Sequence, residues 1–285
     1  MSKRLPRTLR LALKNRLTTT GLSVVFLLVL IALLAPWIVP YPEDTVDTHI
    51  EDRFLSPCSQ HFFGTDELGR DVFSRILYGS RISLQVGLIA IGLALAIGVP
   101  LGVVAGYAGG VLDEVIMRIT DVFLSFPPLL LAMAISTLLG PNLTNAMIAI
   151  AIAWWPWYTR LLRSEAISVR ERDYVQAARA MGASRGKIVF KHVLPNCLTP
   201  IIIQASMDFG SIILTSAALS FLGLGAQPPT PEWGLMVSTG RTFFLTNWWI
   251  VTFPGLAIFI AVLSFNLVGD GLREILDPKM RRARR

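Results

Sequence analysis

The 27 residues from Ile82 to Ala108 read ISLQVGLIAIGLALAIGVPLGVVAGYA and carry no charged side chain. A helix needs about 20 mostly apolar residues to cross a ~30 Å hydrocarbon layer. This run is long enough, and it predicts a membrane-crossing helix. Gly98, Gly102, Gly106 and Gly110 recur at every fourth position in or just beyond it. Glycines four apart share one helix face and admit a second backbone at close range, which is how helices associate where no hydrophobic drive exists. These four are expected to pack the helix against protein rather than lipid.

Five further runs of the same kind flank it: Gly21–Val39, Ile119–Leu139, Thr144–Leu162, Thr199–Leu224 and Trp249–Val268. The expectation is an all-α membrane protein of six transmembrane helices. Composition agrees, with 53% of the 285 residues hydrophobic and 16% charged, against roughly 25% charged in soluble domains. An ordinary soluble enzyme, a disordered chain and a disulfide scaffold are excluded. In the fourth run Pro156 interrupts a cluster of Trp154, Trp155 and Trp157, residues that favour the interfacial end of a span.

Charge orients the set. Of 26 Lys and Arg, 21 fall in residues 1–20, at Arg118, in 160–191 or from Arg273 onward. The basic side is expected to be cytoplasmic, with both termini inside. The net charge of +7 is therefore read as serving the lipid bilayer, not nucleic acid. The first apolar run reaches Val39 before Pro40-Tyr41-Pro42 with no clear cleavage site, so it is read as a retained span. Three regions follow: 1–81, with the N-terminus, the first span and a periplasmic segment; 82–272, a five-helix core with a cytoplasmic loop at 163–196; and 273–285, a basic cytoplasmic tail. Cys58 and Cys197 fall on opposite sides of the membrane and are read as free thiols with no metal-site spacing.

Between the first two spans, Thr65 is placed to cap a short amphipathic helix with Asp66 and Glu67 in its first turn. Asp71 and Arg75 are spaced as an i,i+4 pair on it, and the helix enters the second span at Arg81. Asp208 lies about ten residues into the fifth span. A carboxylate at that depth costs ~2.5–3.5 kcal/mol on insertion scales. It is read either as a pathway-lining residue or as a structural acid bonded to Gln204. No second acid or histidine accompanies it, and no nucleophile–base pair or paired intramembrane carboxylates indicate catalysis.

Segment Arg163–Asn196 reads as two short helices. Tyr174, Ala177, Ala178 and Met181 form an apolar stripe on the first, Gly182 is placed to end it, Ser184 to cap the second, and Pro195 to stop that one early. The exposed small residues suit insertion into a partner's groove. Gly182-Ala-Ser-Arg-Gly186-Lys187-Ile188 is not a P-loop: it has three residues between the glycines and Ile at the magnesium position.

Gln176-Ala177-Ala178, Gly182 and Leu194-Pro195 resemble the cytoplasmic "EAA" loop of ABC-importer permeases. The strings Phe63-Gly-Thr-Asp-Glu-Leu-Gly-Arg-Asp71, Ser220-Phe-Leu-Gly-Leu-Gly225, Gln227-Pro-Pro-Thr-Pro-Glu-Trp-Gly234 and Phe265-Asn-Leu-Val-Gly-Asp-Gly-Leu-Arg273 are similar to the dipeptide/oligopeptide/nickel permease family, in its "C"-type subunit. The resemblance implies the type I ABC importer permease fold. It also implies an ATPase-coupling role for Arg172, Tyr174, Gln176, Ala177, Ala178, Gly182, Leu194 and Pro195. Gln176 departs from the family's Glu, and its length and hydrogen-bonding capacity predict that coupling survives.

The resemblance further implies a second permease subunit, two ABC ATPases that carry ATP and Mg, and an extracytoplasmic solute-binding protein. No cofactor or metal is expected on this chain itself. Di- or oligopeptide import leads, nickel or metal-chelate import is the alternative within the family, and an ion-coupled secondary transporter is the remoter one.

Overall fold

The computed structural model describes residues 16–276. The basic N-terminal stretch and most of the basic 273–285 tail expected from the sequence lie outside them. Among the described residues the chain is helical, with one isolated bridge between Thr65 and Asp71. The helices are α1 (Arg16–Ile38), α2 (Val72–Ala108), α3 (Gly110–Leu124), α4 (Pro128–Leu139), α5 (Leu143–Arg170), α6 (Asp173–Ala180), α7 (Arg185–Ile188), α8 (Leu194–Phe221), α9 (Trp233–Gly240) and α10 (Trp249–Leu276).

Four helical runs are long and apolar enough to cross a membrane: Arg16–Ile38, Val72–Ala108, Arg185–Phe221 and Trp249–Ile275. The expected third span is broken into α3 and α4, which meet at 89°. Pro127 and Pro128 are the cause, since a residue before proline is pushed out of the helical region and Pro127 itself has ψ 130°. Counted together the bent pair makes a fifth span. The expected fourth span, Thr144–Leu162, lies in α5, which is long enough at 28 residues but less apolar than the other runs. Its Trp, Pro and Tyr cluster is the reason, and Trp154, Trp155 and Tyr158 are buried in protein, so this helix does not rely on lipid. The six-span count is corrected accordingly.

The glycine ladder joins α2 to α5 with the two helices running parallel. A Cβ on Gly98 would sit 2.7 Å from the Trp155 carbonyl oxygen, one on Gly102 2.5 Å from that of Thr159, and one on Gly106 2.5 Å from that of Arg163. Gly110 does not belong to this ladder. It has φ +59° and nothing within 4 Å of its missing Cβ, because Gly109 has already ended α2. At that end Arg170 Nη1 donates to the carbonyls of Gly106 and Tyr107, each at 3.3 Å, satisfying acceptors a helix terminus leaves open.

At the opposite end, residues 39–71 fold into a cap of turns. Thr65 does not cap a helix there. Its hydroxyl accepts from Leu55 N–H, and the helix begins at Val72 with Asp71 as the cap, accepting from Ser74 N–H at 2.7 Å. The amphipathic segment and the second span are thus one 37-residue helix. Nor does Arg75 pair with Asp71. Buried, it lies 3.6 Å from Asp66 and donates to the carbonyls of Thr45 at 2.8 Å and Pro229 at 3.4 Å. Trp233 Nε1 donates to Ile76 O and Trp249 Nε1 to Thr65 O. The cap, α2, α9 and the 225–232 turn are thereby tied together.

Candidate functional site

The segment after α5 is built as a helical turn on a buried base. On α6, Val175 faces inward in a cluster with Ala166, Val169, Ile188, Val193, Cys197 and Ile201, and Ala178, three residues on, is buried as well. Ala178 is only 6% exposed, which corrects the expectation that it stands free beside Ala177. The stripe read from the sequence spans two faces of α6. Val175, one residue from Tyr174, was missed because its buried partners come from α5, α7 and α8.

The outward face carries Tyr174, Ala177 and Met181, the last 82% exposed, and Phe190 adds a further aromatic at 72%. Phe190 was also missed; it lies between Val189 and Lys191 and shows no helical spacing with the stripe. Gly182 has φ +79°, a conformation cheap only for glycine, and it lets Ala183 N–H return to Ala178 O at 3.1 Å. Arg172 stands exposed at the start of α6, where its carbonyl accepts from Val175 and Gln176 N–H. Ser184 caps α7, accepting from Lys187 N–H at 3.4 Å.

Pro195 does not stop the second helix. The run from Arg185 continues through a π turn at Val189–Val193 into α8. Proline cannot donate to the residue four back and its ring crowds that carbonyl; the widened turn absorbs both effects. Leu194 is half-buried on the same base and Pro195 is exposed.

Gln176 Nε2 donates to Arg170 O at 3.3 Å and to Glu171 Oε2 at 3.4 Å. A glutamate there would lose both donations and set a second carboxylate beside Glu171. Gln176→Glu is expected to speed amide exchange across α6 severalfold, in line with the ~0.5–1.5 kcal/mol of a typical hydrogen bond, and to leave transport no higher than wild type. Transport that rises would show that a partner reads the charge.

Asp208 sits on α8 among the helices. Gln204 Nε2 donates to its Oδ1 at 3.0 Å, and the buried Tyr158 hydroxyl of α5 faces the same carboxyl group. The bonded-acid reading thus has its Gln204 contact. Among the described residues no three His, Cys, Asp or Glu side chains converge as a metal group. Cys58 is exposed on the cap and Cys197 is buried.

The cap concentrates charge. His49 Nε2 lies 3.1 Å from Asp44 and His61 Nδ1 2.9 Å from Asp71, while Arg70 Nε lies 2.8 Å from Asp66. Burial pushes the Glu67 carboxyl above its ordinary range, Asp66 adds to the effect, and its Oε2 has no partner. Burial likewise raises Asp44, against the Asp71 N–H and His49, and Glu232, against the N–H groups of Leu235 and Gly234. A carboxyl raised on folding contributes stability at low pH that is lost as pH climbs through its folded value. Glu67→Gln is therefore expected to raise the melting midpoint at neutral pH, with the gain shrinking towards pH ~4. An unchanged difference across that range would count against it.

The comparisons with known proteins agree with this architecture. A family model described as the binding-protein-dependent transport system inner membrane component matches residues 98–282. One described as the N-terminal TM domain of oligopeptide transport permease C matches residues 7–57. Over 268 residues the chain is 50% identical to the dipeptide transport system permease protein DppC of Alkalihalophilus pseudofirmus, covering 94% of this chain and 88% of that one. Over 263 residues it is 48% identical to the probable D,D-dipeptide transport system permease protein DdpC of Escherichia coli, covering 92% and 88%. Among solved structures, a chain of the inward-facing MetNI methionine ABC transporter shares the fold, with a TM-score of 0.59 at 20% identity over 72% of this chain and 98% of that one. With matches that run nearly the length of the sequence, the protein belongs to the inner-membrane component family of binding-protein-dependent transport systems.

Proposed function

We propose that this chain is one of two transmembrane subunits of an ATP-driven importer of di- and oligopeptides. The observation that carries the peptide assignment is its 50% identity to a dipeptide permease over 94% of its length. In this reading α5 crosses as a sixth helix sheltered by protein, the α6 end is cytoplasmic, both termini are inside, and the cap faces the solute-binding protein. Two ATPase subunits hold ATP and Mg, and one of them docks on α6.

Physical reasons support the docking role. Tyr174 and Met181 present large apolar side chains on and at the end of a short helix already filled on its inner face, Phe190 adds another from the following π turn, and such patches mark interaction sites. Ala177 between them leaves room for a partner's side chain. Gly182, Leu194 and Pro195 shape the turn, and Arg172 and Gln176 rim it. Because α6 rests on α5, α7 and α8 through one buried base, a push on α6 is passed to membrane helices without passing through a flexible linker. The chain performs no covalent chemistry in this scheme.

The test is purification of the tagged chain in mild detergent from its host, followed by uptake of a labelled dipeptide into proteoliposomes. Co-purification of two ATPases and a second permease, with ATP-dependent dipeptide uptake, is the expected result. Uptake driven by a proton gradient without ATP would overturn it.

A further inference from the structure

Only Glu171 and Arg172 separate α5 from α6, a link that acts as a hinge unless side chains lock it. Arg170, the last residue of α5, locks it from two sides. Its Nη1 donates to the carbonyls of Gly106 and Tyr107 at the end of α2, each at 3.3 Å, and its Nε donates to Glu171 Oε1 at 2.9 Å. Glu171 turns its other oxygen to Gln176 Nε2 of α6 at 3.4 Å, and the same amide donates to the Arg170 carbonyl at 3.3 Å. One guanidinium thus joins the end of α2, the link and α6. Its planar fork of donors suits the open carbonyls and negative dipole of a helix end.

A second contact runs beside the first. Arg179 of α6 lies over the Tyr107 ring of α2, 5.9 Å from its centroid, within range of a cation held by an aromatic face. Val103 of α2 shares the buried cluster of Val175, with Tyr107 packed against it. At its other end α2 starts in the cap, where Asp71 caps it and Arg75 holds the Thr45 carbonyl. Its 37 residues span about 55 Å at 1.5 Å per residue.

We infer, on the reading of α6 as the ATPase-docking helix, that Arg170 is the positioning residue of the coupling segment. By latching α6 to the end of α2, it makes the docking helix move with a helix that begins in the cap. Binding-protein docking outside and ATPase closure inside then act on two ends of one body. Without the latch, α6 swings on Glu171 and Arg172 and the two events lose step.

The test uses the complete complex, with its ATPases, second permease and binding protein, in proteoliposomes. In Arg170→Met, stimulation of ATP hydrolysis by peptide-loaded binding protein is expected to fall at least fivefold. Basal hydrolysis and the yield of co-purified ATPases should stay within twofold of wild type. Arg170→Lys keeps the charge but not the fork, and it is expected to recover less than half of the lost stimulation; full recovery would mean that charge alone suffices and would overturn the latch. Basal hydrolysis, stimulation and melting midpoint falling together would make Arg170 a tether of the bundle and overturn it too. Loaded binding protein added without ATP is expected to change amide exchange severalfold at both 104–109 and 173–180 in wild type, and at 104–109 alone in Arg170→Met. A wild type in which docking leaves either stretch unchanged sinks the assignment even where the variants fail to assemble. A wild-type complex that purifies without ATPases would remove the docking reading and this assignment with it.

Discussion

Gly102→Val is expected to abolish assembly of the helix bundle, with recovered monodisperse protein falling at least tenfold. A Cβ at Gly102 would sit 2.5 Å from the Thr159 carbonyl oxygen and 2.6 Å from Leu162 Cβ. Neither neighbour is the far end of a flexible side chain, so relief requires α2 and α5 to separate. Overpacking typically costs ~1–3 kcal/mol. Here the loss extends along the seam, because Gly98 and Gly106 need the same approach. Gly92→Val supplies the control: it is on the same helix, with nothing within 4 Å of the missing Cβ, and it should behave as wild type. Fluorescence-detected size exclusion in mild detergent reads both. Equal profiles for the two variants would show that the α2–α5 contact does not hold the bundle together.

Arg75→Met is expected to loosen the cap. Losing one partner of a buried charged network typically costs about 3–5 kcal/mol, and Arg75 links Asp66, the Thr45 carbonyl and the Pro229 carbonyl. Asp66 keeps Arg70, so the damage should concentrate where Arg75 alone reaches. Amide exchange is expected to rise at least tenfold in residues 41–70 and 225–232 while the α2–α5 core stays protected. Arg75→Lys should not restore protection, because an ammonium cannot hold the forked contacts of a guanidinium. Protection unchanged in Arg75→Met would mean that Trp233 and Trp249 hold the cap without it.

Asp71 and Arg75 show how far spacing reads. Both sit where an i,i+4 pair would form on a helix, yet Asp71 caps α2 and receives His61 and the cap's own backbone, and Arg75 turns to residues 30 and 154 positions away. Local periodicity ranks neighbours on one helix, whereas a buried guanidinium takes whichever carbonyls the tertiary fold leaves unsatisfied. The loop helix α6 behaves the same way. Its start, its glycine stop and the Ser184 cap after it follow from residue chemistry, but which half of the apolar stripe turns inward depended on Ile188 and Val193 arriving from the next segment.

What the sequence by itself determined is the membrane class, the position of most spans, the glycine face of α2 at Gly98, Gly102 and Gly106, and the family. Each depends on composition or short-range spacing, where 20 apolar residues or a four-residue repeat have one physical meaning. Only the tertiary structure decided that the third span breaks at Pro127, that α5 is sheltered by protein despite its low hydropathy, that a π turn carries the chain past Pro195, and that Asp121 meets Arg160 in the open. Those outcomes depend on which segments share a bilayer depth, and contacts across 39 or more residues leave no period in the chain.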